Sequence, residues 1–524
     1  MVAPPVAQPG PRVSRPTPGR RPGPVVAATV AVILAVTFIP LGYVAWAVVS
    51  TGWTRGYALL VRPRVGELLL NTVGLVVITV PICVVIGVGV AWLVERTDIP
   101  GRVFWRPLFV APLAVPAFVN SYAWVSVSPS LHGLSAGVLV ATLSYFPFVY
   151  LPVAATLRRL DPALEESARA LGSDSVRVFF TVVLPQLRLA TLGGGLLIGV
   201  HLLAEYGAFA LIRFDTFTTA IFEQFQATFA GAAGSMLASV LVLCCLLLLV
   251  AEASARGHAR YARIGTGAPR PTTAVRLGRG IPPALASLML LATLALGVPV
   301  WTILRWLWIG GSDVWVFGEI GTALTQTVGL AAVAATLTTV LALPVAWVAV
   351  RSSGMLARVV EGANYVTSSL PGIVTALALI TVTIRFARPL YQTAVIIICA
   401  YVLLFMPRAL VSLRAGLAQV PVSLEEASGS LGTPPAGTLA RITLRLIAPA
   451  AATGASLVFV AVATELTATL LLAPTGTRTL AMRFWSWSSE LDYAAAAPYA
   501  LTMIVLAVPV TMVLYRQSTK AAAL

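Results

Sequence analysis

Two short polar stretches, 260 residues apart, interrupt the long apolar segments of this chain. The first is EESARALG at residues 165–172, followed by VVLP at 182–185; the second is EEASGSLG at 425–432, followed by ITLR at 442–445. Glutamate and alanine favour a helix, and the closing glycine is typical of a helix end. Glutamates in the first turn also complement the helix dipole. The pattern therefore predicts two equivalent short helices.

The segments around these stretches are too apolar for a soluble protein. Of 524 residues, 58% are hydrophobic and only 10% are charged, and the mean hydropathy is +0.91, whereas soluble domains carry about 25% charged residues. Several runs reach the ~20 apolar residues that cross a bilayer. We expect an all-α membrane protein with about twelve spans, near 25–49, 68–94, 104–127, 133–156, 190–212, 233–251, 281–309, 321–350, 362–384, 389–412, 449–473 and 496–515.

An internal repeat organises these spans. NTVGL at residues 71–75 reappears 255 residues later as QTVGL at 326–330, and from Pro147 and Pro407 onward the offset is 260. Six spans per copy make the copies parallel, related by a pseudo-twofold axis. The predicted organisation is a disordered Pro/Arg-rich tail (1–24), a first six-helix unit (25–252), a basic linker (253–280) and a second six-helix unit (281–524).

The net charge of +16 comes almost wholly from arginine. Most arginines fall in loops on one side of the predicted spans, so they set orientation and do not indicate nucleic acid. They place both termini in the cytoplasm. The inner-side arginines are Arg96, Arg102, Arg106, Arg158, Arg159, Arg351, Arg358, Arg408, Arg414 and Arg441. The exceptions on the outer side are Arg55, Arg62, Arg64, Arg385 and Arg388.

Catalytic chemistry is not expected in this chain. The single lysine, Lys520, is followed by Ala521, so no Gly-Lys-Ser/Thr phosphate-binding loop exists. Any ATP hydrolysis must come from a partner. The four cysteines lie in apolar runs without metal-ligand spacing, which predicts no metal site.

Two glutamates, Glu205 and Glu465, fall at equivalent positions inside predicted spans. An acid at membrane depth costs about 2.5–3.5 kcal/mol and usually faces a pathway or a bundle interior. In one interpretation the pair lines a translocation route and meets a cation. In the alternative, each carboxyl group hydrogen-bonds to a neighbouring helix or lies at the membrane–water interface. His201 shares a helix face with Glu205, but the second half has Ala461 there, so a packing role is the commoner explanation.

The two polar stretches resemble the E-A-A-x-x-x-G signature of bacterial ABC-importer permeases. In that family the loop carries a coupling helix that docks into the ATPase subunit, so the resemblance implies an ATPase dimer on the cytoplasmic side, which binds ATP and magnesium. Two copies imply two fused permease halves in the inner membrane. The implied coupling residues are Glu165, Glu166, Ala168, Gly172, Leu184, Pro185, Glu425, Glu426, Ala427, Gly432, Ile442 and Leu444. One departure is Arg445, where the family has proline.

Other segments resemble fused ferric-iron importer permeases. They are EYGA at residues 205–208 with DTFTTA at 215–220, and ELTATLLL at 465–472 with Gly476-Thr477. The resemblance implies import of ferric iron from an extracytoplasmic binding protein by alternating access, and it adds Tyr206 to the candidate translocation path. The loops at 213–220 and 474–481 would meet the binding protein. Thiamine or another small solute is an alternative substrate. An alternative of another class is a secondary transporter with 6+6 helices, driven by an ion gradient.

Overall fold

The structure, a computed structural model, describes residues 22–228, 231–256 and 274–523. Most of the predicted N-terminal tail and the middle of the predicted linker lie outside these residues. The described chain is helical, apart from an isolated bridge between Thr97 and Val275. Eight helices are long and apolar enough to cross a membrane, and four bent helix pairs bring the number to as many as twelve. The expected all-α, multi-span fold is confirmed.

In its described residues, the first half contains fifteen α-helices. They are α1 Pro24–Thr37, α2 Ile39–Thr51, α3 Trp53–Leu60, α4 Pro63–Arg96, α5 Arg102–Leu108, α6 Ala117–Val127, α7 Gly133–Tyr145, α8 Pro147–Arg159, α9 Pro162–Ala170, α10 Ser175–Val178, α11 Leu184–Gln186, α12 Arg188–Ala204, α13 Gly207–Leu211, α14 Phe217–Thr228 and α15 Gly231–Arg256. A 3₁₀ turn covers Ala111–Ala114, and a π-helical turn covers Phe179–Val183.

The second half repeats this order. Its helices are α16 Ile281–Ala292, α17 Val298–Gly310, α18 Phe317–Arg351, α19 Met355–Thr367, α20 Gly372–Phe386, α21 Ala394–Gln419, α22 Val422–Ser430, α23 Pro435–Thr438, α24 Leu444–Ala463, α25 Thr467–Leu472, α26 Leu480–Ser489 and α27 Tyr493–Ala523. A π-helical turn at Leu439–Thr443 lies 260 residues after that of the first half. Further short turns are Gly278–Gly280, Thr293–Gly297 and Arg388–Leu390.

Several predicted spans are bent or broken where the sequence suggested straight helices. The span predicted at 104–127 consists of two helical segments inclined by 91°, and the one at 362–384 is bent by 106°. Both breaks precede a proline, Pro116 and Pro371, each with an extended backbone. Proline lacks the amide hydrogen and disfavours a helical residue before it, so the helix cannot continue. The spans predicted at 190–212 and 449–473 are also broken, after Ala204 and Ala463.

The two halves are interlocked. The first bent pair, α1 and α2, packs partly on the second half: Val30 joins the core of α18 and α21, and Tyr43 lies between α15 of the first half and α20 of the second. In the reverse direction, Leu288 of α16 packs into the core of the first half. The first segment of each half therefore contributes to the core of the other half.

The repeated NTVGL and QTVGL motifs hold the loops at one end of the bundle. The hydroxyls of Thr72 and Thr327 accept hydrogen bonds from the backbone amides of Phe217 (3.2 Å) and Leu480 (2.9 Å). Arg64 is one of the outer-side exceptions to the arginine pattern. It pairs at 2.8 Å with Asp215, two residues before Phe217. Arg385, another exception, lies 4.2 Å from the ring centre of Trp46. Local partners therefore accommodate these two arginines.

Glycine at position 194 is required by the contact between α8 and α12. A Cβ atom there would lie 2.7 Å from the carbonyl oxygen of Phe148 and 2.9 Å from the Cα of Val149, whereas at the neighbouring Gly193 it would meet nothing within 4 Å. We expect Gly194→Ala to lower the free energy of unfolding by about 1–3 kcal/mol, the usual cost of overpacking. Gly193→Ala is the control and should not destabilise. Equal melting temperatures for the two variants in detergent would contradict this packing.

Candidate functional site

The first polar stretch forms the short helix α9, as predicted. Asp161 caps its start, because the carboxylate accepts a hydrogen bond from the backbone amide of Ala163 at 3.0 Å. At the other end Gly172 has a φ of +89°, and the amides of Gly172 and Ser173 donate to the carbonyls of Arg169 (2.9 Å) and Ala168 (3.1 Å). These two hydrogen bonds form the usual helix ending in which one residue has a left-handed backbone, a conformation that glycine adopts without strain.

The second polar stretch forms α22 with the same ending. Gly432 has a φ of +81°, and the amides of Gly432 and Thr433 donate to the carbonyls of Gly429 (3.0 Å) and Ser428 (3.1 Å). The two prolines that follow, Pro434 and Pro435, leave this ending intact. The second short helix therefore ends in the same way as the first.

A buried ion pair anchors each short helix to a long one. Arg96, the last residue of α4, forms an ion pair with Glu165 of α9 at 2.8 Å, and Arg351, the last residue of α18, donates to Glu425 of α22 at 3.2 Å. The side chains of Arg96 and Glu165 are only 5% and 12% exposed. Both pairs lie at one end of the bundle, which we call the loop end. Each ion pair therefore joins a short helix to the last residue of a long helix.

The two ion pairs differ in the other groups that contact them. Arg351 also donates to the carbonyl of Val420 at 2.7 Å, and the hydroxyl of Thr443 donates to Glu425 at 3.3 Å. At the first site the end of the linker takes part: the amide of Val275 donates to the carbonyl of Arg96 at 2.8 Å. Among the described residues, the linker thus contacts the first anchoring pair but not the second.

The outward face of both short helices is apolar as well as acidic. Leu171 and Leu431, at equivalent positions, are 87% and 85% exposed, and Leu164 and Leu424 are also exposed. The signature glutamates Glu166 and Glu426, together with Ala427, Gly172, Gly432 and Pro185, are exposed, while Ala168, Leu184, Ile442 and Leu444 are half-buried. Each short helix thus presents exposed leucines at positions that the repeat relates to each other.

The two intramembrane glutamates lie at helix breaks. The carboxylate of Glu205 accepts hydrogen bonds from the amide of Ala208 (2.9 Å) and the hydroxyl of Tyr145 (2.8 Å). That of Glu465 accepts from the amides of Ala468 (2.9 Å) and Thr469 (3.0 Å), and from the Thr469 hydroxyl at 2.7 Å. Each carboxylate therefore satisfies free amides at the start of α13 or α25.

These breaks meet between the two halves. A Cβ on Gly207 would lie 2.7 Å from Leu466, which occupies the equivalent of position 206 in the second half. Tyr206 itself is buried, stacks on Phe222 at 4.2 Å and lies 5.3 Å from the ring of Trp485. The candidate path residues are thus gathered around the pseudo-twofold axis.

His201 makes the packing contacts expected of a lone histidine. Its Nδ1 lies 2.7 Å from the carbonyl of Leu197, and its ring packs 4.7 Å from Phe148 and 5.6 Å from Tyr145. Within the described ranges, no group of three or more His, Cys, Asp or Glu side chains could hold a metal ion.

The charge pattern of the sequence placed Arg408 among the loop arginines, whereas the structure places it in a helix. It is inside α21, 11 residues before the last helical residue, Gln419, or about 16 Å along the axis. Arg408 is therefore in a helix and not in a loop, and α21 continues to Gln419, beyond the predicted end of this span at 412.

The anchoring role of two arginines was not predicted from the sequence. Arg96 and Arg351 served only to establish orientation and repeat matching, although both they and their partners, Glu165 and Glu425, recur at matched positions. A repeated arginine at a helix end, together with a repeated acid in the following loop helix, is the signal that would have identified the pairs. The family signature begins instead at the second glutamate of each stretch, Glu166 or Glu426, which is exposed.

Comparison with known proteins agrees with this architecture. The family model described as "Binding-protein-dependent transport system inner membrane component" matches residues 51–257 and 339–520. The Fe(3+)-transport system permease protein of Haemophilus influenzae is 36% identical over 470 residues, which cover 89% of this chain and 93% of that protein.

More distant relatives match as well. The ferric transport system permease protein of Actinobacillus pleuropneumoniae is 22% identical and covers 79% of this chain and 65% of its own length. A sulfate transport system permease protein of Synechocystis is 29% identical over 34% of this chain and 72% of its own length. The chain belongs to the family of inner-membrane permease components of binding-protein-dependent ABC importers.

Proposed function

We propose that the chain is the permease subunit of an importer for ferric iron, driven by a separate ATPase. The observation that supports this most directly is the duplicated loop-end surface, with two exposed leucines and one buried ion pair in each half. The twofold arrangement matches an ATPase dimer, in which each subunit would receive one short helix. The names of the two ferric relatives supply the substrate.

The proposed mechanism is alternating access. A binding protein outside the membrane delivers the substrate to the end of the bundle opposite the loop end. Closure of the ATPase dimer on ATP and magnesium pulls on α9 and α22. The buried pairs Arg96–Glu165 and Arg351–Glu425 pass this movement to α4 and α18, and the halves rock about the broken helices near Glu205 and Glu465. The loop end, and with it both termini, then lies in the cytoplasm.

An ion-gradient transporter does not account for the loop end. Such a protein needs parallel repeats and acids at mid-depth, but it does not need two exposed, symmetry-related apolar helices. The carboxylates of Glu205 and Glu465 also accept hydrogen bonds from amides at the start of α13 and α25. The geometry therefore favours an ATPase-driven importer over a gradient-driven one.

The docking surface can be tested with Leu171→Asp. A charge at this position should abolish co-purification of the ATPase and reduce uptake more than tenfold, because an apolar interface residue would be replaced by an unpaired carboxylate. Phe386→Ser is the control, since Phe386, the last residue of α20, is exposed to a similar extent (82%). Co-purification of the same ATPase with the Leu171→Asp variant would contradict the assignment of this surface.

A further inference from the structure

A cavity of about 430 Å³ lies in the second half, at the end of the bundle opposite the loop end. It is bounded by α18, by the first turn of α21 and by the loop between α25 and α26. Its lining is part polar and part apolar, with the side chains of Gln326, Thr475, Thr477, Leu330, Ala394 and Ile397. Sites for small molecules have about this size, 300–1,000 Å³, and combine apolar walls with a few polar groups.

The loop beside the cavity can be aligned with its counterpart in the first half through two matched hydrogen bonds. Thr72 accepts from the amide of Phe217, and Thr327 accepts from the amide of Leu480. The two amides are 480 − 217 = 263 residues apart, so the loop of the second half is three residues longer than the repeat offset of 260. Position 477 therefore corresponds to Phe214.

In the first half, the ring of Phe214 fills the corresponding space. This side chain is only 3% exposed and belongs to the same core cluster as Leu75. A Cβ atom on Gly137 would lie 3.2 Å from the ring. In the second half Thr477 stands in place of the phenylalanine, and Ile397 stands in place of Gly137. The isoleucine does not fill the space, which remains as the cavity.

The cavity lies at the membrane boundary and opens towards the lipid. Gln326 is 351 − 326 = 25 residues before Arg351, the last residue of α18, or about 37 Å along the axis. The hydrocarbon core of a bilayer is about 30 Å thick. Gly329 is exposed, and the same face of α18 continues with Val333 and Val340, which are 47% and 55% exposed. The polar part of the lining thus lies at headgroup level, and the apolar part borders the acyl chains.

The polar edge of the cavity suits a phosphate group. The backbone amide of Arg478 donates to the side-chain oxygen of Gln326 at 2.7 Å, which places this exposed arginine beside the lining. The described residues that line the cavity include no Asp or Glu. Guanidinium, hydroxyl and side-chain amide groups all donate hydrogen bonds to phosphate oxygens.

We propose that the cavity binds a phospholipid of the leaflet opposite the loop end. One acyl chain lies between α18 and α21, and the phosphate lies at Thr475, Thr477 and Arg478. The lipid completes, in the second half, the packing that Phe214 supplies in the first. The site is separate from the translocation path and does not depend on which solute is imported.

Native mass spectrometry of the full chain, delipidated in detergent and titrated with phosphatidylglycerol, tests the site. Gly329→Leu places a side chain in the cavity, and a Cβ atom there would meet nothing within 4 Å. The matched control is Gly321→Leu on the same helix, where a Cβ is equally free but does not line the cavity. We expect Gly329→Leu to weaken the tightest lipid binding about tenfold or more, because the acyl chain loses its buried apolar contact. Gly321→Leu should bind like the wild type.

Thr477→Phe is a second filling variant, since it copies the residue of the first half. It should also weaken lipid binding, and it should raise the melting temperature of the delipidated protein, because the ring fills a cavity. Diacylglycerol with the same acyl chains tests the headgroup contact and should bind more weakly than phosphatidylglycerol. Equal binding of the two lipids would overturn the assignment of the phosphate.

Phosphatidylglycerol binding that is the same in the wild type, Gly329→Leu and Thr477→Phe would overturn the proposal. If Gly329→Leu leaves lipid binding unchanged but lowers iron uptake, the cavity serves transport and not lipid, and the proposal also fails.

Discussion

Arg96→Met should disconnect the first short helix from the membrane helices. The substitution keeps an unbranched side chain but leaves the carboxylate of Glu165 nearly buried without its partner at 2.8 Å. Removing one member of a buried pair typically costs about 3–5 kcal/mol. We expect a markedly lower melting temperature in detergent, and uptake below one tenth of the wild type under conditions where the protein is folded.

A double variant distinguishes the loss of the ion pair from a general loss of packing. Arg96→Met combined with Glu165→Leu removes both charges, and replacing a buried pair by apolar residues is often close to neutral. Stability should therefore recover. Arg169→Met is the control, because its guanidinium lies 3.6 Å from the same carboxylate and is partly exposed, so it should cost less than about 1 kcal/mol. A single Arg96→Met variant as stable as the wild type would refute the anchoring role.

Glu465→Ala should destabilise the second broken helix. The substitution leaves the amides of Ala468 and Thr469 without the acceptors that now lie at 2.9 and 3.0 Å. Each buried donor left without a partner costs about 1–3 kcal/mol. We expect a lower melting temperature and reduced uptake together. Glu205→Ala should have a smaller effect, since its carboxylate accepts only one backbone amide among the described residues, that of Ala208.

Thr464→Ala is the control for this break, because its hydroxyl bonds the preceding turn, at the carbonyl of Val460. The same experiment separates capping from direct contact with substrate. If Glu465→Ala melts at the wild-type temperature but does not import, the carboxylate acts on the substrate and not on the helix, and the capping role is wrong.

Much of the fold could be predicted from periodicity and repetition. Long apolar runs give the spans directly, and the offsets of 255 and 260 residues give two parallel copies. The short helices α9 and α22 followed from their glutamates and closing glycines, since those residues act locally through propensity and a positive φ. Local chemistry of this kind can be recognised in a single sequence.

What could not be predicted depends on contacts between distant segments. Hydropathy measures the apolar content of a window, so it did not reveal the breaks before Pro116 and Pro371 or those after Ala204 and Ala463. Arg96 and Glu165 pair with each other although two further spans lie between their helices in the sequence. The packing of α1 and α2 on the second half likewise leaves no local pattern, because lipid and protein interior both favour apolar side chains.

The central claim is that ATP hydrolysis by a partner drives ferric iron through this chain. Its most direct test is uptake of radiolabelled ferric iron in cells with and without the gene, with a protonophore and with ATP depletion as separate treatments. We predict uptake that needs the chain, stops when ATP is depleted and persists when the proton gradient is collapsed. Uptake that follows the proton gradient and ignores ATP would contradict the claim.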